Sequence, residues 1–391
     1  MRYFHLIFFL SVLVTTQGCA QQSSVNQPME LTVGAARFDE YAGLLQGKAV
    51  GVVINQTSMV DGQSTLDYLL KQSVDVKKIF APEHGFRGTT DRGVLIDDAK
   101  DEVTGLPIVS LYGKNKKPSK DALADIDVMI FDIQDVGARF YTYISSMHYV
   151  MEACAENNIK LIIMDRPNPN GHYVTGPIME DEHKSFIGMH NIPVVHGMSI
   201  GEYALMINGE GWLSNNVKCD LNVISMEGWD HNTPYSLPIP PSPNLPNDQA
   251  IALYPSLCFF EGTPVSVGRG TTKQFQIIGH PDYTDTTFSF RPVSGYGAKY
   301  PVLQDSTCYG LDLTNVNPAF TLEYLIHFYE ILSNPETPFF TDFFTLLAGT
   351  KELQKQIESG MTEEEIIASW QSGIEKFKQT RSKYLLYKDF E

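Results

Sequence analysis

Short runs in which nearly every position is apolar recur along the first two-thirds of the chain. They are Ala49-Val50-Gly51-Val52-Val53-Ile54, Ile79-Phe80-Ala81, Ile108-Val109-Ser110-Leu111, Val128-Met129-Ile130-Phe131 and Leu161-Ile162-Ile163-Met164. A strand wetted on one face alternates apolar and polar residues. A continuous apolar run belongs to a strand covered on both faces, as in parallel sheets. Helical spacing fills the gaps between runs. From about Thr142 to Asn157, Ile144, Met147, Met151 and Cys154 fall on one face, and Leu66, Leu69 and Leu70 mark another helix. The pattern predicts an α/β fold built on a buried parallel sheet.

Each predicted strand runs out into polar residues: Asn55 and Gln56, Glu83 and His84, Asp132, Gln134 and Asp135, then Asp165 and Arg166. In open α/β sheets, ligands sit outside the carboxyl ends of the strands. These groups are therefore expected to converge on one cleft. Farther on, Leu237-Pro238-Ile239-Pro240-Pro241-Ser242-Pro243-Asn244-Leu245-Pro246 interrupts any regular element, and a domain boundary is placed near it. Beyond about Gln249, short strands and helices mix. The chain ends in a charged helical segment, roughly Thr362 to Phe377, whose Ile366, Ile367, Trp370 and Ile374 read as core.

The chain has 391 residues and a net charge of −17, which argues against a nucleic-acid partner. No G-x-G-x-x-G follows the first strand and no G-x-x-x-x-G-K-[ST] occurs, so no nucleotide cofactor is expected. Cys154, Cys219, Cys258 and Cys308 lack metal or redox spacing and read as buried apolar residues. His148, His172, His190, His196 and His280 show no ligand-like spacing with His84, and no metal is expected. At the N-terminus, Arg2 and the apolar run Leu6 to Val14 are too short for a membrane span and read as a signal peptide. The run leads to Thr16-Gln17-Gly18-Cys19, which resembles a bacterial lipobox. Cys19 is the expected lipidation site, followed by a flexible tether.

Several loops carry candidate chemistry. Glu83 directly follows a buried strand. A partly desolvated carboxyl there suits a general acid, although a structural Glu in a tight turn has the same sequence signature. His84 is expected to orient its neighbour. Asp132, Asp135, Gln134 and Arg139, with the aromatic Phe140, Tyr141 and Tyr143, form either a site or a buried ion pair. Asp165-Arg166-Pro167-Asn168-Pro169-Asn170-Gly171 is a rigid polar loop. Ser199-Ile200-Gly201-Glu202 matches a capping box, so Glu202 ranks below Glu83 and Asp132. Gly268-Arg269-Gly270-Thr271 is a glycine-rich turn able to carry Arg269 into a cleft. Of nine Arg residues, Arg87, Arg139, Arg166 and Arg269 lie in these loops, which suggests a substrate carboxylate.

Taken together, Phe80 to Gly88, Phe131 to Tyr143, Asp165 to Gly171, His196-Gly197-Met198-Ser199-Ile200-Gly201-Glu202, Pro241 to Pro246 and Gly268 to Thr271 resemble, in order, the exo-β-N-acetylmuramidase family, glycoside hydrolase family 171. The resemblance spans roughly residues 35 to 390. It implies a Rossmann-like parallel-sheet N-terminal domain and a smaller α/β C-terminal domain with a cleft between them. It also implies release of terminal β-1,4-linked N-acetylmuramic acid from the non-reducing end of peptidoglycan fragments. The expected organisation is a signal peptide over 1–18, lipidated Cys and tether over 19–34, a catalytic domain over 35–245 and a C-terminal domain over 246–391. Glu83 is the leading acid, with Asp132, Asp135 or Glu202 as its partner in falling order, unless the substrate acetamide takes that place. Asn55, His84, Arg87, Gln134, Arg139, Tyr141, Asp165, Arg166, Asn168, His196, Arg269 and Thr271 are the expected substrate contacts. Two positions depart from the family habit: Val267 stands where relatives often carry an acid, and Gln276 where many carry Glu. The reading from another class is a muropeptide-binding surface lipoprotein without turnover. An amidase or esterase lacks both a G-x-S-x-G elbow and a zinc ligand set.

Overall fold

The computed structural model describes residues 30–82 and 99–391. Glu83, His84 and Arg87, together with Cys19 and the leader segment, lie outside the described residues. The apolar runs are strands, and they pair as their burial demands. β1 (Val50–Ile54), β4 (Val76–Ala81), β6 (Pro107–Ser110), β7 (Val128–Asp132), β8 (Lys160–Met164) and β9 (Leu221–Ile224) are parallel. Their spatial order is β6-β4-β1-β7-β8-β9, which in chain order reads 3-2-1-4-5-6, the Rossmann arrangement. The short β5 (Ala99–Lys100) pairs antiparallel to β6 at one edge. A two-residue hairpin of β2 (Met59–Val60) and β3 (Gln63–Ser64) follows β1.

Side chains on a strand alternate between faces, and the core divides accordingly. Val50, Val52, Ile54, Ile79, Val128, Ile130, Ile162 and Met164 pack in one cluster with Leu66 and Leu69. Helix α1 (Phe38–Leu45) adds Tyr41 and Leu45 to it, and helix α2 (Thr65–Lys71) supplies the two leucines. Val53, Phe80, Met129, Phe131, Leu161 and Ile163 face the other way. There they meet the buried stripe of α4 (Tyr143–Glu156), namely Ile144, Met147, Met151 and Cys154. The short α3 (Lys120–Leu123) closes this layer beside Leu123, and α5 (Ile200–Gly209) lies with α4.

The second cluster does not stop at the proline segment. It continues through Leu253 and Leu257 of α6 (Asp248–Leu257) into Phe259, Phe260, Phe328, Phe344 and Trp370. Those residues belong to the C-terminal part. It holds a three-stranded antiparallel sheet, β10 (Ile277–His280), β12 (Cys308–Asp312) and β11 (Ser289–Phe290), in that spatial order. Around it pack α7 (Glu323–Leu332), α8 (Asp342–Ala348), α9 (Glu352–Glu358) and α10 (Glu363–Arg381). Helix α10 begins with a Thr362–Glu365 capping box and buries Ile366, Trp370, Ile374 and Phe377. The four mature-chain cysteines are free and buried, as their spacing predicts.

Arg139 joins the two parts. Its side chain is fully buried, and its two terminal nitrogens donate to four carbonyls, Pro177 and Ile192 on one side, Leu347 and Ala348 on the other, at 2.7–2.8 Å. Burial pulls its pKa down to about 9, so it is still charged at neutral pH. This corrects the expectation that Arg139 meets substrate, because those nitrogens are engaged with the protein's own backbone. Replacing it leaves four buried acceptors without donors. Arg139→Met is expected to lower stability by at least about 3 kcal/mol, and Arg139→Lys to recover little of it, in urea unfolding followed by fluorescence. Near-wild-type midpoints would refute this role.

Candidate active site

The polar groups at the strand ends do converge, but on one another. At the end of β7, Asp132 accepts from Arg166 Nε at 2.5 Å and Nη2 at 2.8 Å and from Thr65 Oγ1 at 2.5 Å. Asp132 is wholly buried and Arg166 nearly so, and Arg166 Nη2 also donates to Met59 O. Asp165 accepts from the backbone of Arg166 and Gly201 and from the hydroxyls of Ser199 and Tyr387. Burial raises its pKa to about 6, against the pull of those bonds. Asn168 holds Asn170 N and Met198 O, and Gln134 donates to the carbonyls of Asp135 and Pro167. The side-chain oxygen of Asn55 accepts from Thr57. These residues fix the loops above the sheet.

The proline segment is tied down beside these strand ends. Gln56 at the end of β1 donates to Pro240 O and Pro241 O, and Tyr141 OH donates to Pro241 O at 2.8 Å. The segment is thereby tied to the carboxyl edge at Gln56 and Tyr141. Asp132 and Asp165 are held as scaffold, while Arg166 and Asn168, engaged in the same bonds, also border surface pockets, Arg166 beside Met59 and Tyr235 and Asn168 beside His172 and His231. Glu202 is corrected to scaffold as well. It closes the capping box with Ser199, accepts from His231 Nε2 at 3.1 Å and takes Leu386 N at 2.8 Å, with no exposed surface.

Asp135 and His196 stand apart. Asp135 Oδ2 accepts from Gly137 N at 2.7 Å, while Oδ1 and His196 Nε2 are buried without partners among the described residues. The two side chains lie 3.9 Å apart. Burial pushes the Asp135 pKa up to about 7 and the His196 pKa down to about 3, so a neutral pair is favoured. Deeper in the same layer, Glu152, His148, His190 and Tyr203 form a hydrogen-bonded row between α4 and α5, at 2.8–3.1 Å per link. No residue spacing announced this row.

The open crevice lies beside that edge, where the N-terminal part meets the C-terminal part. Tyr141, Tyr143, Ser242 and Asn244 line one wall, and Tyr254, Glu261, Arg269 and Phe275 the other. Arg269 sits on a turn that needs glycine on both sides. Gly268 and Gly270 have φ of +74° and +80°, and a Cβ on Gly270 would meet Val293 O at 2.4 Å. Thr271 closes the turn through its hydroxyl to Gly268 O at 2.7 Å, so it shapes the turn instead of reaching for a ligand. Arg269 Nε donates to Glu261 at 2.6 Å, and the guanidinium lies 5.0 Å from the Phe275 ring centre. Its terminal nitrogens carry no hydrogen bond among the described residues. This is a guanidinium held on one side and available on the other. Glu261 is the only carboxylate lining the crevice among the described residues, and sequence reasoning missed it. Its position right after Leu257-Cys258-Phe259-Phe260 was the available signal, since a charge beside such a run needs a partner. Val267 lies in the neighbouring wall, and Gln276 bonds Asn247.

Residues 50–249 match the family described as exo-β-N-acetylmuramidase NamZ, N-terminal, and residues 252–387 its C-terminal counterpart. This chain belongs to the NamZ exo-β-N-acetylmuramidase family. The peptidoglycan β-N-acetylmuramidase NamZ of Bacillus subtilis (strain 168) is 37% identical over 383 residues, 89% of each chain. Two crystal structures of DUF1343 family proteins from Bacteroides fragilis NCTC 9343 share the fold. One has a TM-score of 0.86 and 47% identity, covering 92% of this chain and 100% of the other. The second has a TM-score of 0.78 and 30% identity, covering 92% and 99%. In this NamZ-family chain, the two matched regions meet at the crevice that Arg269 and Glu261 line.

The neutral Asp135 leaves a thermodynamic trace. Its folded pKa lies above the unfolded value of 3.8, so its contribution is present below 3.8 and lost as pH rises towards about 7. His196, with a lowered pKa, acts in the opposite sense, so only a difference between variants isolates Asp135. Wild type is expected to lose stability relative to Asp135→Asn across that window, with a constant difference above it. Parallel stability curves from pH 4 to 8 would contradict this.

Proposed function

We propose that this chain is an exo-acting glycosidase that releases terminal β-1,4-linked N-acetylmuramic acid from the non-reducing end of peptidoglycan fragments. Membership of the NamZ family and the activity named for the Bacillus subtilis relative support the reaction class. The observation that carries the substrate choice is Arg269. N-acetylmuramic acid differs from N-acetylglucosamine by a lactyl ether whose carboxylate is a natural partner for a guanidinium. Of the four loop arginines, Arg139 and Arg166 are engaged internally and Arg87 lies outside the described residues. Arg269, clamped by Glu261 and stacked on Phe275, is oriented before substrate arrives. A non-catalytic muropeptide-binding lipoprotein has no comparable support.

Glycosidic cleavage needs a proton on the leaving oxygen and a group opposite the anomeric carbon. Glu83 is proposed as the acid. In sequence it follows Pro82, the residue after the carboxyl end of β4. His84 and Arg87 are assigned to orient the acid and the substrate. For the second group there are two candidates: Glu261 on the crevice wall and the substrate's own acetamide.

Glu83→Gln is expected to fold normally and to lose two to four orders of magnitude, roughly, in turnover of a β-N-acetylmuramide chromogenic glycoside. Arg269→Lys is expected to lower kcat/KM on that substrate by about ten- to a hundredfold without changing the slow rate on the glucosaminide. Equal wild-type rates on the two glycosides would sink the assignment of Arg269.

The leader supports export and lipid anchoring at Cys19, on a bacterial membrane facing the periplasm or the cell surface, and the charge of −17 supports a partner other than nucleic acid. Cys19→Ala should release the protein into the soluble fraction and abolish incorporation of labelled palmitate. Unchanged membrane fractionation and labelling would exclude this anchor.

A further inference from the structure

Four of the seven exposed large apolar side chains among the described residues fall within ten positions: Val293, Tyr296, Tyr300 and Val302. Tyr300 is 81% exposed and Tyr296 61%. Apolar surface concentrated in this way marks a contact site more often than chance scatter. The segment is fastened in place. Val293 N donates to Gly270 O at 3.0 Å, Asn244 Nδ2 to Gly297 O at 2.8 Å, and Asp305 N to Pro292 O at 2.8 Å. It is therefore attached both to the turn that carries Arg269 and to the proline segment tied to the sheet edge.

Beneath it lies a cavity of about 270 Å³, walled by Glu261, Ser266, Arg269, Lys299, Tyr300 and Phe343. Glu261, Arg269 and Phe343 also wall the crevice on the Tyr141 side. The two spaces thus share a partition, and the charged pair stands in it. An exo-acting glycosidase encloses one terminal residue, and the rest of the saccharide must leave on the open side. A lactyl carboxylate on Arg269 would set the two sugars that flank the scissile bond on opposite sides of this partition.

We propose that the exposed rim at Tyr300, which lines this cavity, is the subsite for the first sugar on the leaving side of the scissile bond, an uncharged N-acetylhexosamine. A pyranose offers an apolar C–H face and a polar edge. A tyrosine ring matches the first with little conformational freedom to lose. Lys299, whose ammonium lies 5.5 Å from the Tyr300 ring centre, supplies a donor for the edge. The proposal rests on the muramidase reading above and adds where the leaving group is held.

The test compares two substrates of purified full-length protein. One is the disaccharide N-acetylmuramyl-β-1,4-N-acetylglucosamine. The other is β-N-acetylmuramyl fluoride, whose single-atom leaving group cannot reach the rim. Tyr300→Ala is expected to raise KM for the disaccharide by about three- to tenfold and to leave the fluoride kinetics unchanged, while Tyr300→Phe behaves as wild type. Equal effects on both substrates, or none on the disaccharide, would overturn the subsite. Concentration-dependent dimerisation in light scattering that Tyr300→Ala abolishes, with kinetics intact, would assign the rim to a second copy and also overturn it. Wild-type protein that cleaves neither substrate would refute the muramidase reading itself.

Discussion

A buried guanidinium cannot be left without acceptors, and in this chain that constraint falls on Arg139. Its charge is satisfied only if loops from both parts bring their carbonyls to one point. The hydrophobic cluster that runs from Phe131 through Phe259 to Phe344 makes the same demand in apolar terms. The crevice is a product of this union. Tyr141 and Tyr143, just beyond Arg139, face Glu261 and Arg269 only because the two parts are fixed together. A hinge at the proline segment would be costly here, because opening would strip the arginine of half its partners.

The sheet was legible because parallel strands buried on both faces leave little freedom in composition. All five apolar runs are strands in it, α4 spans nearly the range its pattern predicts, α10 starts as predicted and runs four residues farther, and Leu66, Leu69 and Leu70 lie in α2. β9 escaped notice because Leu221-Asn222-Val223-Ile224 is short, polar at its second position and only partly buried at the sheet edge. The site was less legible. Sequence order shows that Asp132, Asp165 and Arg166 end strands, and it shows correctly that they meet. It does not show that Gln56 and Tyr141 tie the proline segment down beside them. A polar strand end looks the same whether it faces a ligand or another part of its own chain. The capping-box spacing, by contrast, did announce the local role of Glu202, because that motif is satisfied within four residues.

Arg269 illustrates how little sequence is needed to place a cation once the backbone is fixed. Two glycines, one threonine and a glutamate eight residues earlier set its direction; the glycine-rich turn is legible in the sequence, the glutamate is not. The anion-binding role proposed for it rests on the contrast with Arg139 and Arg166, which the fold engages elsewhere.

The last turn of α10 and the residues after it are stitched into the first domain. Arg381 donates to Gly197 O and pairs with Asp389, Tyr387 OH reaches Asp165, and Leu386 N meets Glu202. Both carboxylates are wholly buried, so without these residues the sheet domain holds two acids short of donors. The first domain to be synthesised is therefore the last to be completed. Folding cannot finish vectorially, and the sheet waits for the final ten residues. The covalent order of the chain and the order of its stabilisation run in opposite directions.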